Sequence, residues 1–212
     1  MYVMCLSRGL GAIKKWIDEF EPNEPIAFIP NAGDTYDDSY FVEESRKRIH
    51  LLGLSTKNID LRMIHSRDSF EQSITNCSGV FVAGGNSFNL LKELYRSGAF
   101  YSLKEKVQNG MAYFGESAGA VILYNSIEPV SMIDDPDDVP DLKTTDSLGI
   151  VDFITLPHIN REKYADLFNS FYTKFSGKHR IIKIRDDQAL LTRDGKTVEI
   201  LLSEIAEIDP LS

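Results

Sequence analysis

The sequence predicts an α/β protein built as a three-layer sandwich, with a mostly parallel sheet between two layers of helices. Short apolar runs alternate with amphipathic segments along most of the chain, and this βαβα order is typical of such a sandwich. The first runs are apolar on both faces, as expected of parallel strands that helices cover on both sides. Two segments near the end of the chain predict a C-terminal β-hairpin.

Each predicted strand is a short apolar run bounded by turn residues or by a helical pattern. In chain order the strands are Tyr2–Leu6, Ile26–Pro30, Asn58–Ile64, Gly79–Ala83, Met111–Gly115, Val151–Leu156 and Arg180–Ile184. Between the strands, apolar residues recur at helical spacing. The predicted helices are Gly11–Phe20, Asp38–Leu52, Asp68–Thr75, Ser87–Ser97, Ser102–Gln108, Ala118–Tyr124 and Arg161–Phe175.

The hairpin is predicted from Gln188–Thr192 and Thr197–Leu202, two strand-like segments that Arg193-Asp-Gly-Lys196 connects. An Asp-Gly pair between two such segments is a strong signal for a tight turn. No internal repeat or low-complexity linker divides the sequence, so a single domain over residues 1–212 is expected.

Composition narrows the partners that the protein can have. The chain of 212 residues has a formal net charge of −9, which argues against nucleic acid or an anionic membrane as the main partner. No apolar run approaches the roughly 18 residues that cross a bilayer, and the first residues are typical of a strand rather than a signal peptide. Cys5 and Cys77 lack metal-ligand spacing, so we expect free thiols, a cytoplasmic location, no metal and no organic cofactor.

The most informative motif is Gly115-Glu-Ser-Ala-Gly119, which has the G-x-S-x-G pattern of a nucleophile elbow. In such an elbow a strand turns sharply into a helix, and the serine at the apex, here Ser117, projects its hydroxyl outward. The flanking glycines let strand and helix pack closely, and the helix N-terminus directs free N–H groups at a developing oxyanion. A tight structural turn with an incidental serine is the alternative, but the flanking strand and helix favour a nucleophile.

A serine nucleophile needs a general base, and His158 is the best placed histidine. It is predicted at the C-terminal end of a strand, the sheet edge where open α/β proteins place functional residues. Ser117 is predicted at the same edge, so the two side chains can meet in one crevice. The other histidines lie in helical or loop segments, at His50, His65 and His179.

An oxyanion hole needs two backbone donors, and the chain offers a candidate for each. One is the N–H of Ala118, next to the nucleophile. The other lies in Ala83-Gly-Gly-Asn86, which follows a predicted strand and opens a helix. Paired glycines permit close approach of the backbone to a substrate. We therefore predict oxyanion donors at Gly85 and Ala118, with Asn86 beside the substrate.

The segment from Ile127 to Thr145 has no periodicity and is predicted to be a long loop. Its acidic residues are Asp134, Asp135, Asp137, Asp138 and Asp141. Loops of this length are usually functional or disordered. The carboxylates do not follow the spacing of a calcium-binding loop, so a solvated acidic loop is favoured over a metal site.

Taken together, ordered segments of the chain resemble the serine peptidase family of peptidase E (α-aspartyl dipeptidase) and cyanophycinase. The segments are Phe28-Ile-Pro-Asn-Ala-Gly33, Val82-Ala-Gly-Gly-Asn-Ser-Phe-Asn-Leu-Leu91, Gly115-Glu-Ser-Ala-Gly-Ala120, Leu156-Pro-His158 and Ile184-Arg-Asp-Asp-Gln-Ala-Leu190. The resemblance implies a flavodoxin-like sandwich related to class I glutamine amidotransferases, with serine where those enzymes carry cysteine.

Carried over by position, the resemblance implies a catalytic triad of Ser117 as nucleophile, His158 as general base and Asp186 as the acidic member. Relatives usually carry glutamate at this last position, and a shorter side chain changes the reach to the histidine. The neighbouring Asp187, and Asp134 in the loop after the elbow, therefore stay open as alternatives. The resemblance also implies that Gly85 and Ala118 supply the oxyanion amides.

The residues expected to recognise the substrate depart from the family pattern at two positions. The resemblance implies that Arg161 holds the side chain of an N-terminal aspartate, and a guanidinium suits a carboxylate. However, Glu116 replaces a bulky aromatic residue of peptidase E, and Val121 replaces a polar one. A carboxylate at Glu116 would disfavour an acidic side chain and favour a free α-amino group.

The predicted function is a serine exopeptidase that cleaves short peptides, preferably dipeptides with N-terminal aspartate, as a monomer or homodimer. Two alternatives remain. An α/β-hydrolase esterase shares the elbow and would use Asp134 ahead of His158 in the chain order Ser, Asp, His. A binding module would keep the sandwich and lose turnover.

Overall fold

The computed structural model describes residues 1–205, which form a seven-stranded sheet, a two-stranded sheet and the helices around them. The strands are β1 Val3–Leu6, β2 Ile26–Ile29, β3 Thr56–Asn58, β4 Gly79–Val82, β5 Ala112–Glu116, β6 Ile154–Leu156, β7 Ile181–Lys183, β8 Gln188–Thr192 and β9 Glu199–Leu202. The α-helices are α1 Ile13–Phe20, α2 Tyr40–Leu51, α3 Arg67–Ser73, α4 Ser87–Ser97, α5 Ala99–Gln108, α6 Ala118–Val121 and α7 Ala165–Phe175.

The large sheet has the strand order β3-β2-β4-β5-β1-β8-β9. Pairing is parallel from β3 to β1, whereas β8 and β9 pair antiparallel as the predicted hairpin. The carboxyl ends of β4, β5 and β1 therefore lie side by side in the middle of the sheet, where functional residues of open α/β sheets collect.

Two hydrophobic layers, one on each face of this sheet, account for its buried strands. Alternate residues of a strand point to opposite faces, and in β1 Val3 and Cys5 contribute to one layer while Met4 and Leu6 contribute to the other. Helices α3 to α6 cover the first face, and α1 and α2 cover the second. This confirms the flavodoxin-like three-layer sandwich with a mostly parallel sheet.

A third, smaller cluster sits around the two-stranded sheet. Strands β6 and β7 pair in parallel, and the phenylalanines of α7 pack on them. The cluster consists of Ile154, Leu156, Phe168, Phe171 and Phe175. Because only Pro157 separates His158 from β6, this unit determines where the histidine lies.

Some predicted elements differ from those observed. The segment Asn58–Ile64 was predicted as a strand, but the strand ends at Asn58 and Leu61–Met63 forms a 3₁₀ turn. The side chains of Asp60 and Asn31 accept hydrogen bonds from the backbone N–H groups of Arg62 and Leu61, which turns the chain away from the sheet.

Other differences concern lengths. Helix α6 ends at Val121, three residues earlier than predicted, and β6 begins only at Ile154. The predicted loop from Ile127 to Thr145 contains 3₁₀ turns over Glu128–Met132 and Pro136–Asp138. No helix within residues 1–205 is long and apolar enough to cross a membrane.

Candidate active site

Ser117 lies at a sharp turn between β5 and α6. Its backbone has φ +49° and ψ −108°, a region that costs a non-glycine residue about 1–3 kcal/mol. The turn is held by backbone hydrogen bonds, since Ser117 N–H donates to Leu6 at 3.0 Å and Val121 N–H donates to Ser117 at 3.0 Å. A side chain at Gly119 would overlap the carbonyl of Val82, which explains why this position is glycine.

His158 lies beside this serine at the carboxyl end of β6. Its Nε2 is 3.0 Å from Ser117 Oγ, and its Nδ1 is 2.6 Å from Oδ1 of Asp186. The backbone of His158 also has a positive φ, of +62°. With Asp186 ionised, Nδ1 carries the proton, and Nε2 is left as an acceptor for the serine hydroxyl.

The carboxylate of Asp186 is held from several directions. Ser7 Oγ donates to its Oδ1 at 2.9 Å, Arg161 Nε donates to its Oδ2 at 2.8 Å, and Asn160 accepts its backbone N–H. Burial alone raises the pKa of Asp186, but the hydrogen bonds from His158, Arg161 and Ser7 outweigh it and hold the pKa well below its usual range. Asp186 is therefore ionised at neutral pH.

Neither alternative acid contacts the histidine. Asp187 is paired with Arg185 at 2.9 Å on the surface. Asp134 accepts the backbone N–H of Ser87 at 2.8 Å, at the start of α4. Burial raises the pKa of Asp134. Of the acids considered from the sequence, Asp186 is the one that the structure brings to His158.

Ser7 belongs to the site although the sequence analysis did not select it. Its hydroxyl accepts the backbone N–H of His158 at 2.9 Å and lies 3.1 Å from Nδ1 of the same residue. Ser7 thus holds both the backbone and the ring of His158 while it also donates to Asp186. The sequence feature that could have identified Ser7 is its position just after the central strand β1, where functional residues of open α/β sheets collect.

The two predicted oxyanion residues line the same cavity as Ser117. Gly85 has φ +142°, and a side chain there would overlap the carbonyl of Ala32, so only glycine fits. Ala118 is the first residue of α6, where backbone N–H groups have no partner within the helix. Within the described residues, the N–H groups of Gly85 and Ala118 donate to no other group.

Asn86 has a different environment from the one predicted. Its side chain caps α4 by accepting the N–H groups of Phe88 at 2.9 Å and Asn89 at 3.0 Å. Its amide nitrogen lies 3.4 Å from Asp138. Asn86 is buried and is not among the residues that line the cavity, so we assign it a structural role rather than a substrate contact.

The cavity in front of Ser117 has a volume of about 330 Å³ and two walls of different character. The charged wall is formed after β1, along α2 and at the end of β5, by Arg8, Glu44, Ser45, Arg48 and Glu116. The apolar wall is formed by α6, the loop after it, β6 and α7, with Val121, Val130, Ile133, Ile154, Leu156, Leu167, Phe168 and Phe171.

Glu116, directly before the nucleophile, is part of a buried polar network on the charged wall. It accepts a hydrogen bond from Ser45 Oγ at 2.6 Å. Burial raises its pKa to about 7, although Ser45 and the charge of Arg48 oppose the shift. Arg48 is buried as well, donates to the carbonyl of Arg8 at 2.9 Å and pairs with Glu44. The sequence motif gave no indication that α2 would supply these partners.

The site carries no cluster of ligands typical of a metal centre. Within residues 1–205, no group of three or more His, Cys, Asp or Glu side chains is arranged to hold a metal ion. The histidine and carboxylate of the site are instead directed at each other and at Ser117.

Comparison with known proteins identifies peptidases as relatives of this chain. The model of peptidase family S51 matches residues 6–200. An uncharacterised peptidase of Listeria monocytogenes is 32% identical over 188 residues, which cover 87% of this chain and 91% of that protein. A Peptidase E of a Shewanella species is 33% identical over 182 residues, covering 81% of this chain and 72% of that protein.

The architecture agrees with these sequence matches. The crystal structure of a candidate Peptidase E protein from Listeria monocytogenes has a TM-score of 0.82 and 30% identity to this chain. The match covers 95% of this chain and 98% of that one. The chain therefore belongs to peptidase family S51, the family of peptidase E, and is a serine-type peptidase.

Proposed function

We propose that the protein is an exopeptidase that cleaves short peptides through an acyl-enzyme on Ser117. The observation that carries this proposal is the chain of contacts from Ser117 Oγ to His158 at 3.0 Å and from His158 to Asp186 at 2.6 Å. A serine hydroxyl is a weak nucleophile, so it needs a base to take its proton and a third group to orient that base.

Each residue of the triad has one task in this mechanism. Nε2 of His158 accepts the hydroxyl proton while Oγ of Ser117 attacks the carbonyl carbon of the peptide bond. Asp186 holds the ring in the required tautomer and stabilises the imidazolium that forms. The imidazolium gives its proton to the leaving amine, and water activated by the same histidine then hydrolyses the acyl-enzyme.

The oxyanion of the tetrahedral intermediate needs donors that are already in place. The turn at Ser117 acts as a nucleophile elbow, which aims the hydroxyl into the cavity beside the N–H groups of Gly85 and Ala118. Because these groups have no competing acceptor within residues 1–205, they are available to the developing charge. One such donor is worth about 100- to 1,000-fold in kcat.

The cavity supports a short substrate. Its volume of about 330 Å³ lies at the lower end of the range of about 300–1,000 Å³ that is usual for small-molecule sites. A dipeptide fills such a space. The remaining residues of a longer peptide would have to extend out of the cavity. The small volume therefore favours a dipeptide substrate and the exopeptidase assignment.

A preference for N-terminal aspartate is the finer part of the proposal, and the charges of the cavity support it. Arg8, Arg48 and Arg161 all line the cavity, with Glu44 as the shared partner of the first two, and guanidinium groups pair well with a carboxylate. Arg161 uses Nε for Asp186, so only its terminal nitrogens can face a substrate. Glu116 opposes an acidic side chain less than its residue type suggests, since it is only partly ionised near neutral pH.

A panel of dipeptides tests the proposal directly. Wild type should release free amino acids from Asp-X faster than from Glu-X or neutral dipeptides, and N-acetylated Asp-X should be a poor substrate. Ser117→Ala should lose at least about 10,000-fold in kcat/KM. Ser55→Ala, an exposed serine at the opposite edge of the sheet, is the control. Equal inactivity of wild type and Ser117→Ala on every peptide would contradict the proposal.

A further inference from the structure

We propose that the apolar wall of the cavity binds the side chain of the residue that leaves, so that preferred substrates carry an aliphatic or aromatic residue after the cleaved bond. This inference rests on the proposed peptidase function and adds to it the chemical class of the second residue. It comes from the two kinds of residue, charged and apolar, that different elements contribute to the cavity around Ser117 and His158.

The chemistry determines on which side the leaving residue lies. His158 has to protonate the leaving nitrogen, so this nitrogen must come within hydrogen-bond distance of Nε2. The carbonyl oxygen must at the same time point to the amides of Gly85 and Ala118. The leaving residue is therefore on the side of His158, while the acyl residue extends away from it.

Most of the cavity lining on this side of His158 is apolar; the charged exceptions are Arg161, which pairs with Asp186, and Asp134, which accepts the N–H of Ser87. His158 lies two residues after the end of β6, and β6 and α7 contribute Ile154, Leu156, Leu167, Phe168 and Phe171 to the cavity lining. The remaining cavity residue from these two elements is Thr155, which is buried. The loop after α6 adds Val130 and Ile133 to the same wall. A charged or amide side chain placed against these apolar residues would lose its hydration, and the charged groups beside them already have partners in Ser87 and Asp186.

The wall also has apolar surface that a ligand can cover. Ile154, Leu156 and Phe171 are almost completely buried and belong to the cluster under α7, so they form the base of the wall. Ile133 and Leu167 are only half-buried. Contact with an apolar side chain would remove their surface from water, which favours binding of such a side chain.

Matched dipeptides isolate this contact. Asp-Leu and Asp-Asn have side chains of similar shape after the cleaved bond, and they share the same first residue, free amino group and terminal carboxylate. We expect kcat/KM of wild type to be at least about tenfold higher for Asp-Leu than for Asp-Asn, with Asp-Phe close to Asp-Leu. The same comparison with alanine as first residue shows whether the effect is independent of the acyl side.

Variants of the half-buried residues locate the effect. Ile133→Asn and Leu167→Asn should each lower the ratio of kcat/KM for Asp-Leu over Asp-Asn several-fold, because they remove apolar surface from the wall. Leu51→Asn is the matched control, since Leu51 is 64% exposed on α2 and does not line the cavity. Its ratio should equal that of wild type.

The outcomes separate this inference from the proposed function. Cleavage of Asp-Leu and Asp-Asn at equal rates overturns the apolar subsite and leaves the peptidase assignment intact. A wild-type preference for leucine that Ile133→Asn and Leu167→Asn do not reduce overturns the location of the subsite on this wall. Failure to cleave any dipeptide overturns the proposed function, and the inference with it.

Discussion

Ser117 and His158 lie 3.0 Å apart at Oγ and Nε2, yet the two residues are held in different ways. Ser117 belongs to the seven-stranded sheet, and its unusual backbone is set by the turn between β5 and α6 and by glycines that admit close packing. His158 belongs to the small β6–β7 unit, and its contacts come from Ser7 near one end of the chain and Asp186 near the other.

The two halves of the site thus differ in how far apart in the sequence their interacting residues lie. The turn of the serine half is specified mainly by consecutive residues, with one backbone hydrogen bond to Leu6 of the neighbouring strand, so its geometry follows where a strand and a helix flank the motif. The histidine half depends on segments that are 151 and 28 residues away in sequence. Substitutions that loosen the histidine half should therefore reduce catalysis in proportion to the contact that each removes.

The largest effect is expected from Asp186→Asn. An amide has no negative charge to hold the proton on Nδ1, and its NH₂ group favours the tautomer of His158 with the proton on Nε2. That tautomer cannot accept the serine proton, so kcat should fall by about 10,000-fold. Asp187→Asn is the matched control, because Asp187 differs from Asp186 by one position and pairs only with Arg185 on the surface. Steady-state kinetics that find Asp187→Asn as damaging as Asp186→Asn would remove Asp186 from the triad.

A smaller effect is expected from Ser7→Ala. The variant loses the donor to Asp186 and the acceptor for the His158 N–H, and a hydrogen bond to a charged group contributes about 1.5–3 kcal/mol. We expect kcat/KM to fall by about 10- to 100-fold. Ser203→Ala is the control, since Ser203 is equally buried and bonds to Gly9 and Ala12 instead.

These two variants also separate positioning from stability. Ser203→Ala should lower the thermal midpoint and leave kcat/KM of the folded enzyme unchanged. Ser7→Ala should lower kcat/KM at temperatures where the protein is fully folded. If both variants lose activity only as far as they unfold, Ser7 has no positioning role for His158.

The smallest effect is expected from Glu116→Gln, and it depends on pH. Because burial raises the pKa of Glu116 to about 7, the carboxylate is neutral below pH 7 and charged above it. Ionisation adds a negative charge beside an acidic substrate. The ratio of kcat/KM for Asp-Leu over Asn-Leu should thus fall about three- to tenfold between pH 6 and pH 8 in wild type. It should stay level in Glu116→Gln, and a level ratio in wild type would contradict this role.

The same titration affects stability with a defined sign. The pKa of Glu116 is higher in the folded state than the ordinary value of 4.5, so the folded state holds the proton more tightly. The free energy of unfolding contributed by this group is therefore largest below pH 4.5 and declines as pH rises to about 7. Chemical denaturation of wild type and Glu116→Gln across this range measures this decline in the free energy of unfolding. Parallel pH profiles of the two proteins would show that ionisation of the buried Glu116 does not lower stability.

Much of the fold was predictable from the sequence because local patterns determine it. Buried parallel strands are short apolar runs, and the Asp-Gly pair at positions 194 and 195 specifies the hairpin turn. The error at Asn58–Ile64 had a physical cause. The segment contains apolar residues, but Asp60 and Asn31 bond to its backbone and redirect it, and the contact with Asn31 spans 30 residues.

The site was most predictable where one short segment carries it, and His158 followed from its place at the end of a predicted strand. The motif around Ser117 specifies the serine, its turn and the amide of Ala118. Ser7 and the α2 residues Ser45 and Arg48 have no local pattern, since they reach the site only when β1 and α2 pack beside β5. The cap at Asn86 was not distinguished from a substrate contact, because the signal of a helix N-cap and that of a polar site residue are the same.

The most direct test of the central claim is covalent labelling of Ser117. A fluorophosphonate reacts with a serine that a base activates and spares an unactivated one. Peptide mass spectrometry of the labelled wild type should find the adduct on Ser117, and His158→Ala should abolish it while the protein stays folded. Absence of an adduct in wild type, or labelling that persists without His158, would contradict the proposal that His158 activates Ser117.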